Sequence, residues 1–110
     1  MKLTEKNDRI GGNGVSIKAE YPVIEAALIR EHVLVIYDWM SFNKNALARN
    51  LFCYMKEGAL LWRAADIGMG STDACTNILS EEPLWVGNFE GWRCRIDEAS
   101  GTVLNQEFTK

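Results

Sequence analysis

At Val33-Leu34-Val35-Ile36-Tyr37 the chain carries an uninterrupted apolar run of strand length, and few folds can accommodate it. Side chains of a strand alternate between two faces, so a run without a polar alternate asks for cover on both sides. The β-branched Val33, Val35 and Ile36 lose side-chain freedom in a helix and pack well on a pleated surface, which favours a strand. The run is far shorter than the ~20 residues of a membrane-crossing helix. One neighbouring sheet covers one face only, so a subunit interface is expected to supply the other.

The flanking sequence reads as further strands. Val23 to Ile29 precedes the run across Arg30-Glu31, a tight turn; a helix over Val23 to Arg30 competes, because Ile24, Ala27 and Leu28 also fit helical spacing. The density of β-branched residues after the turn tips the reading to a strand pair. Leu47 to Tyr54, the turn Met55-Lys56-Glu57-Gly58 and Ala59 to Ala65 form a hairpin, with the glycine where a positive φ is needed. Cys75 to Leu79, Leu84 to Phe89, Trp92 to Asp97 and Thr102 to Phe108 continue the pattern, separated by Glu90-Gly91 and Glu98-Ala99-Ser100-Gly101. Upstream, Val15, Ile17 and Ala19 alternate with Ser16, Lys18 and Glu20 until Tyr21-Pro22 breaks the strand. Gly11-Gly12-Asn13-Gly14 places three glycines in four positions, so residues 1–14 are expected as a polar flexible tail or edge extension.

The chain repeats itself. Gly58-Ala59-Leu60-Leu61 and Gly101-Thr102-Val103-Leu104 follow a turn and a strand alike, 43 positions apart, inside the ~40–50 residue period of propeller blades. The expected fold is therefore all-β: a single domain over 15–110, built from two blade-like four-stranded antiparallel meanders at about 23–65 and 75–108, packed as a small sandwich or partial propeller. The segment Asn50 to Arg63 resembles the strand, turn and strand of a PQQ-type propeller blade, and Ile96 to Leu104 is similar to its Asp-x-x-x-Gly turn. Tyr21-Pro22-Val23, the hairpin at Glu31 and the ending Glu107-Phe108-Thr109-Lys110 resemble a group of short stand-alone bacterial proteins of uncharacterised function, some carried in mobile gene cassettes. The resemblance implies blades and no chemistry. Complete propellers use about 4–8 blades, so two give no ground for carrying over the cofactor at the centre of a closed ring, and no cofactor is expected.

Charge and composition exclude several function classes. Twelve basic and fifteen acidic residues leave a net charge of -3, with no run of Lys or Arg, so neither nucleic acid nor a membrane surface is expected as a partner. The first 13 residues are polar and mixed in charge, unlike a secretory signal, so the expected location is cytoplasmic. Cys53, Cys75 and Cys94 are an odd, widely spaced set that suits a reducing compartment and forms no metal knuckle. His32 is the single histidine, at a turn, and no nucleophile motif accompanies any Ser or Cys. No catalytic residue and no metal site is expected. Gly68-Met69-Gly70-Ser71-Thr72 lacks the lysine of a phosphate-binding loop and reads as an ordinary loop.

The aromatic residues carry the binding candidates. Trp39, Met40 and Phe42 fall in a polar connection, where exposed aromatics serve recognition, and Trp85 and Trp92 stand on adjacent strands. By alternation Trp92, Cys94 and Ile96 share one face, read as core, and Arg93, Arg95 and Asp97 the other, read as solvated. The expected function is a non-enzymatic interaction protein, a homo-oligomer or binder of a protein partner acting through its sheet surface and aromatic loop, of an immunity- or antitoxin-like kind. The alternative is a small-molecule binder or minor enzyme with a pocket between the meanders or at a subunit seam, using Asp38, Asp66, Asp73, Arg63 and His32.

Overall fold

The structure, a computed structural model, describes residues 1–38, 50–64, 75–88 and 91–108. It is all-β, with no helix among the described residues, and therefore none long and apolar enough to cross a membrane. Both expected meanders are present. The middle sheet contains β4 (Val23–Ile29), β5 (His32–Tyr37), β6 (Leu51–Met55) and β7 (Leu60–Arg63) in sequential antiparallel order. The C-terminal sheet contains β8 (Cys75–Glu81), β9 (Leu84–Asn88), β10 (Trp92–Ile96) and β11 (Val103–Phe108), also sequential and antiparallel. Neither closes into a barrel. Val23–Ile29 is a strand rather than the competing helix, because pairing with the two-faced β5 run buries Ala26, Ala27 and Ile29.

Residues 1–14 depart from the expected tail. They supply β1 (Thr4–Lys6) and β2 (Arg9–Gly12), which join β3 (Val15–Lys18) in a third, three-stranded antiparallel sheet. Its two tight turns explain how. Asn7 and Asp8 lie at φ 53 and 64, and Asn13 and Gly14 at φ 52 and 82. Positive φ at both central positions is the pattern of the turn whose twist matches antiparallel strands, and Asn, Asp and Gly are the residues that tolerate it. The glycine cluster therefore makes a hairpin, not a loose end. Residues 1–3 go on to bond the free edge of β4: Leu3 N–H donates to Ala26 O at 2.9 Å and Leu28 N–H to Met1 O at 2.8 Å.

The three sheets stack with the middle sheet between the other two. Leu34 and Ile36 point to the C-terminal sheet, in a core with Ala27, Leu51, Cys53, Trp62, Leu84, Val86, Cys94 and Ile96. Val33, Val35 and Tyr37 point the other way, onto Leu3, Ile10, Val15 and Ile17, with Phe52 and Tyr54 beside them. Every residue from Val33 to Tyr37 is 0% exposed, and full burial of such side chains stabilises by roughly 1.5–3 kcal/mol each. Both covers that the run demands come from one chain, so the run itself requires no subunit interface.

Candidate functional site

With the middle sheet covered, the outer face of the C-terminal sheet is the surface built from the aromatic and charged residues that the sequence singles out. Residues directly opposed across antiparallel strands point to the same side. Arg95 lies opposite Trp85, and Arg93 opposite Gly87, so Trp85, Arg93 and Arg95 share the outer face, while Val86 and Cys94 share the core face. Continuing across β11, Glu107 lies opposite Arg93 and Asn105 opposite Arg95. The guanidinium of Arg93 stands 4.9 Å from the centre of the Trp85 ring, and its Nε donates to Glu107 Oε1 at 2.9 Å. An aromatic ring, a cation and a carboxylate are thus held in line over three strands. Arg95 extends from the same face and makes no ion pair among the described residues.

Two strands border the C-terminal sheet, and they differ. β8 is interrupted by register shifts at Cys75/Asn77 and Ile78/Ser80, irregularities of the kind that blunt a sheet edge. β11 has one, opposite Arg95/Ile96, and beyond it Asn105 to Phe108 pair regularly with β10 and with no other described strand. Leu104 and Phe108 are 54% and 55% exposed there.

At the end of the stack where the turns meet, a network ties the middle sheet to the C-terminal one. Arg30, in the β4–β5 turn at φ 57, donates through Nε to Glu82 Oε1 at 2.7 Å and lies 3.8 Å from Glu98. His32 Nδ1 is 3.2 Å from Glu98 Oε2, and Trp62 Nε1 donates to the Glu98 backbone carbonyl at 2.8 Å. Gly101, at φ 78, closes the β10–β11 turn over Trp62, whose ring would lie 2.5 Å from a Cβ at that position. Beside the network is a cleft of about 230 Å3 whose lining includes Arg30, Glu82, Leu84, Arg95, Ile96 and Leu104. Cys53 sits in the core behind it, and burial, with the Glu98 charge adding, pushes its thiol up to about 12. Such a thiol stays protonated and is a poor nucleophile.

Between the N-terminal and middle sheets the buried polar groups are phenols. Tyr37 and Tyr54 hydroxyls lie 2.7 Å apart, Tyr54 donates to the Glu20 carboxylate, and Glu20 N–H donates to Tyr37 Oη at 3.2 Å. Burial raises both phenols above the ordinary tyrosine value. These bonds fasten the segment after β3 onto β5 and β6.

The expected binding residues do not form one patch. Trp39, Met40 and Phe42 lie outside the described residues, as do Asp66 and Asp73. Trp85 is on the outer face, whereas Trp92 is on the core face of β10, at its end, with its ring 5.2 Å from that of Phe108. Of the polar candidates, His32 joins Glu98; Arg63 lies over the Phe52 ring at 4.8 Å, and Asp38 donates its N–H to Pro22 O at 2.8 Å. The sequence reading missed Arg30, Glu82 and Glu98. They are separated by 52 and 68 positions and meet only because consecutive meanders stack turn against turn. Among the described residues no group of three His, Cys, Asp or Glu side chains is arranged to hold a metal.

A family model described as a domain of unknown function, DUF7957, matches residues 1–108. The chain belongs to that family. The match starts at residue 1, so the N-terminal hairpins lie inside the DUF7957 unit and are not an appendage to it. No curated protein and no solved structure matches the chain.

Proposed function

We propose that this DUF7957 protein is a non-enzymatic interaction module that self-associates through its C-terminal sheet, by way of the β11 edge and the adjoining face around Trp85. The observation that carries the reading is the regular stretch Asn105 to Phe108, paired with β10 on one side and with no described strand on the other, in the sheet that also presents a half-buried Trp85 and the exposed Arg95. An open edge offers a row of backbone donors and acceptors, and Trp and Arg are the side chains that most often dominate binding energy. The expectation of a homo-oligomer then rests on this edge and not on the β5 run. Its residue chemistry also favours binding over catalysis, since the histidine is engaged by Glu98 and the Cys53 thiol is held protonated.

Sedimentation equilibrium at micromolar concentration tests it. The wild type should show concentration-dependent dimers, dissociated by Gln106→Pro, which removes the edge amide that in the single chain donates to Asn105 Oδ1 at 2.9 Å and would turn to the partner strand, and weakened by Trp85→Ala. A wild type that stays monomeric, or dimers indifferent to both substitutions, would overturn the proposal.

A second reading has its own observation, the cleft that brings apolar Leu84, Ile96 and Leu104 together with Arg30 and Arg95. Its size suits only a ligand smaller than those held in ordinary pockets of about 300–1,000 Å3. A thermal-shift screen of small metabolites would support it by a rise of several degrees that Arg95→Gln abolishes.

A further inference from the structure

At the other end of the stack, the outer face of the N-terminal sheet carries a row of cations. Lys6 lies directly opposite Arg9, and Arg9 directly opposite Lys18, so one cross-strand row on β1, β2 and β3 presents three basic side chains, all exposed. Strand spacing makes the row roughly 10 Å long. Arg9 Nε donates to the Ser16 hydroxyl at 3.2 Å, and no carboxylate among the described residues pairs with any of the three. The other acidic groups of this sheet are Glu5, opposite Ile10, and Asp8, in the turn. Like charges directly opposite each other destabilise a sheet. A row of them on a chain of net charge -3 concentrates positive potential that the overall charge conceals.

We infer that this face docks an acidic protein surface, a partner that presents clustered Asp and Glu side chains. Two observations favour protein over nucleic acid as the occupant. The neighbouring row on the same face is Thr4, Gly11 and Ser16, so the described face has no aromatic platform for a base. Three cations also fall below the 6–10 phosphate contacts of strongly salt-dependent nucleic-acid binding, and a row roughly 10 Å long matches a short cluster of carboxylates. The sheet positions the row rigidly, because Ile10, Val15 and Ile17 lock its other face into the core. This surface is independent of the β11 edge.

The test uses the full chain and a fluorescein-labelled octaglutamate peptide, followed by anisotropy at low ionic strength. The expected result is binding that weakens steeply with salt, and that weakens about tenfold or more when Lys6, Arg9 and Lys18 are all changed to Gln. Arg93→Gln/Arg95→Gln, at the opposite end, should leave it unchanged. The triple variant should melt at or above the wild-type temperature, since the substitutions relieve repulsion between neighbours. Absence of binding at low salt, equal binding by the triple variant, tighter binding of a 20-base-pair DNA duplex than of the peptide, or a triple variant that melts well below wild type would each overturn the inference. Sedimentation of the same triple variant separates this result from self-association, which it should not alter.

Discussion

The N-terminal and C-terminal sheets do the same work on opposite faces of the middle sheet, but they are fastened differently. The N-terminal sheet is small, three strands set by two tight turns, and its interface is sealed by aromatic rings and a buried phenol pair. The C-terminal sheet is a full meander whose core is mainly aliphatic with two cysteines, and whose charged ties lie at the rim, between Arg30, His32, Glu82 and Glu98. Strand count therefore does not decide how completely a sheet covers β5. The short sheet contributes Ile10, fully buried, to the cover of one face of β5, and the β5 residues on that face are as completely buried as those beneath the four-stranded sheet.

The largest expected effect comes from attacking the smaller sheet at its centre. Ile10→Ala should cost about 2–5 kcal/mol in denaturant unfolding, the range for truncating a buried branched side chain. A loss under about 1 kcal/mol would mean that the N-terminal sheet is a loose cover and the comparison is false. On the C-terminal side, Gly101→Ala forces a Cβ into the Trp62 ring at a left-handed backbone position. It should destabilise by about 1–3 kcal/mol, as overpacking does, and should perturb the near-ultraviolet signal of Trp62.

Alkaline pH acts on both interfaces at once. Cys53, on the C-terminal side, and Tyr37 and Tyr54, on the N-terminal side, have pKa values raised by the fold. A raised value means that the folded state holds the proton more tightly, so this contribution is intact below the unfolded values and is lost as pH rises. For Cys53 the window runs from its ordinary 9.0 to about 12. Each such group lowers stability by about 1.4 kcal/mol per pH unit within its window. Absorbance titration of the phenols should show Tyr37 and Tyr54 ionising together with unfolding; ionisation well before unfolding would contradict their burial.

The smallest effect is expected at the rim. His32→Gln removes a partly exposed tie to Glu98 and should cost less than about 1 kcal/mol. A larger loss would make the rim network, and not the aliphatic core, the main fastening of the C-terminal sheet.

Much of the middle and C-terminal sheets was legible, for identifiable reasons. Val33 to Tyr37 demanded a two-faced strand, and Gly58 and Gly101 marked turns where φ is 103 and 78. In the N-terminal sheet the alternation of Val15 and Ile17 marked β3, but β1 and β2 were not read because apolar residues are sparse there: Leu3 and Ile10 are too far apart to show alternation, and three glycines suggest a loop. The pair Asn13-Gly14 was the available signal, since that dipeptide between Ile10 and Val15 favours a tight hairpin. The surface was harder to read. Alternation alone separated Arg93 and Arg95 from Cys94 and Ile96, but it could not tell that Trp85 lies opposite Arg95, which depends on register. The row of Lys6, Arg9 and Lys18 depends on register twice over, and no run of basic residues announces it.

Native-state hydrogen exchange on the full chain tests most directly whether residues 1–19 form the second cover of the β5 run. β2 is the central strand of its sheet, bonded on both sides, and Ile10 is fully buried. The amides of Ile10 and Gly11 should therefore exchange only with large or global opening, at protection comparable to that of Val35 in β5. Exchange at the rate of an exposed loop, with Val35 still protected, would contradict the three-layered account.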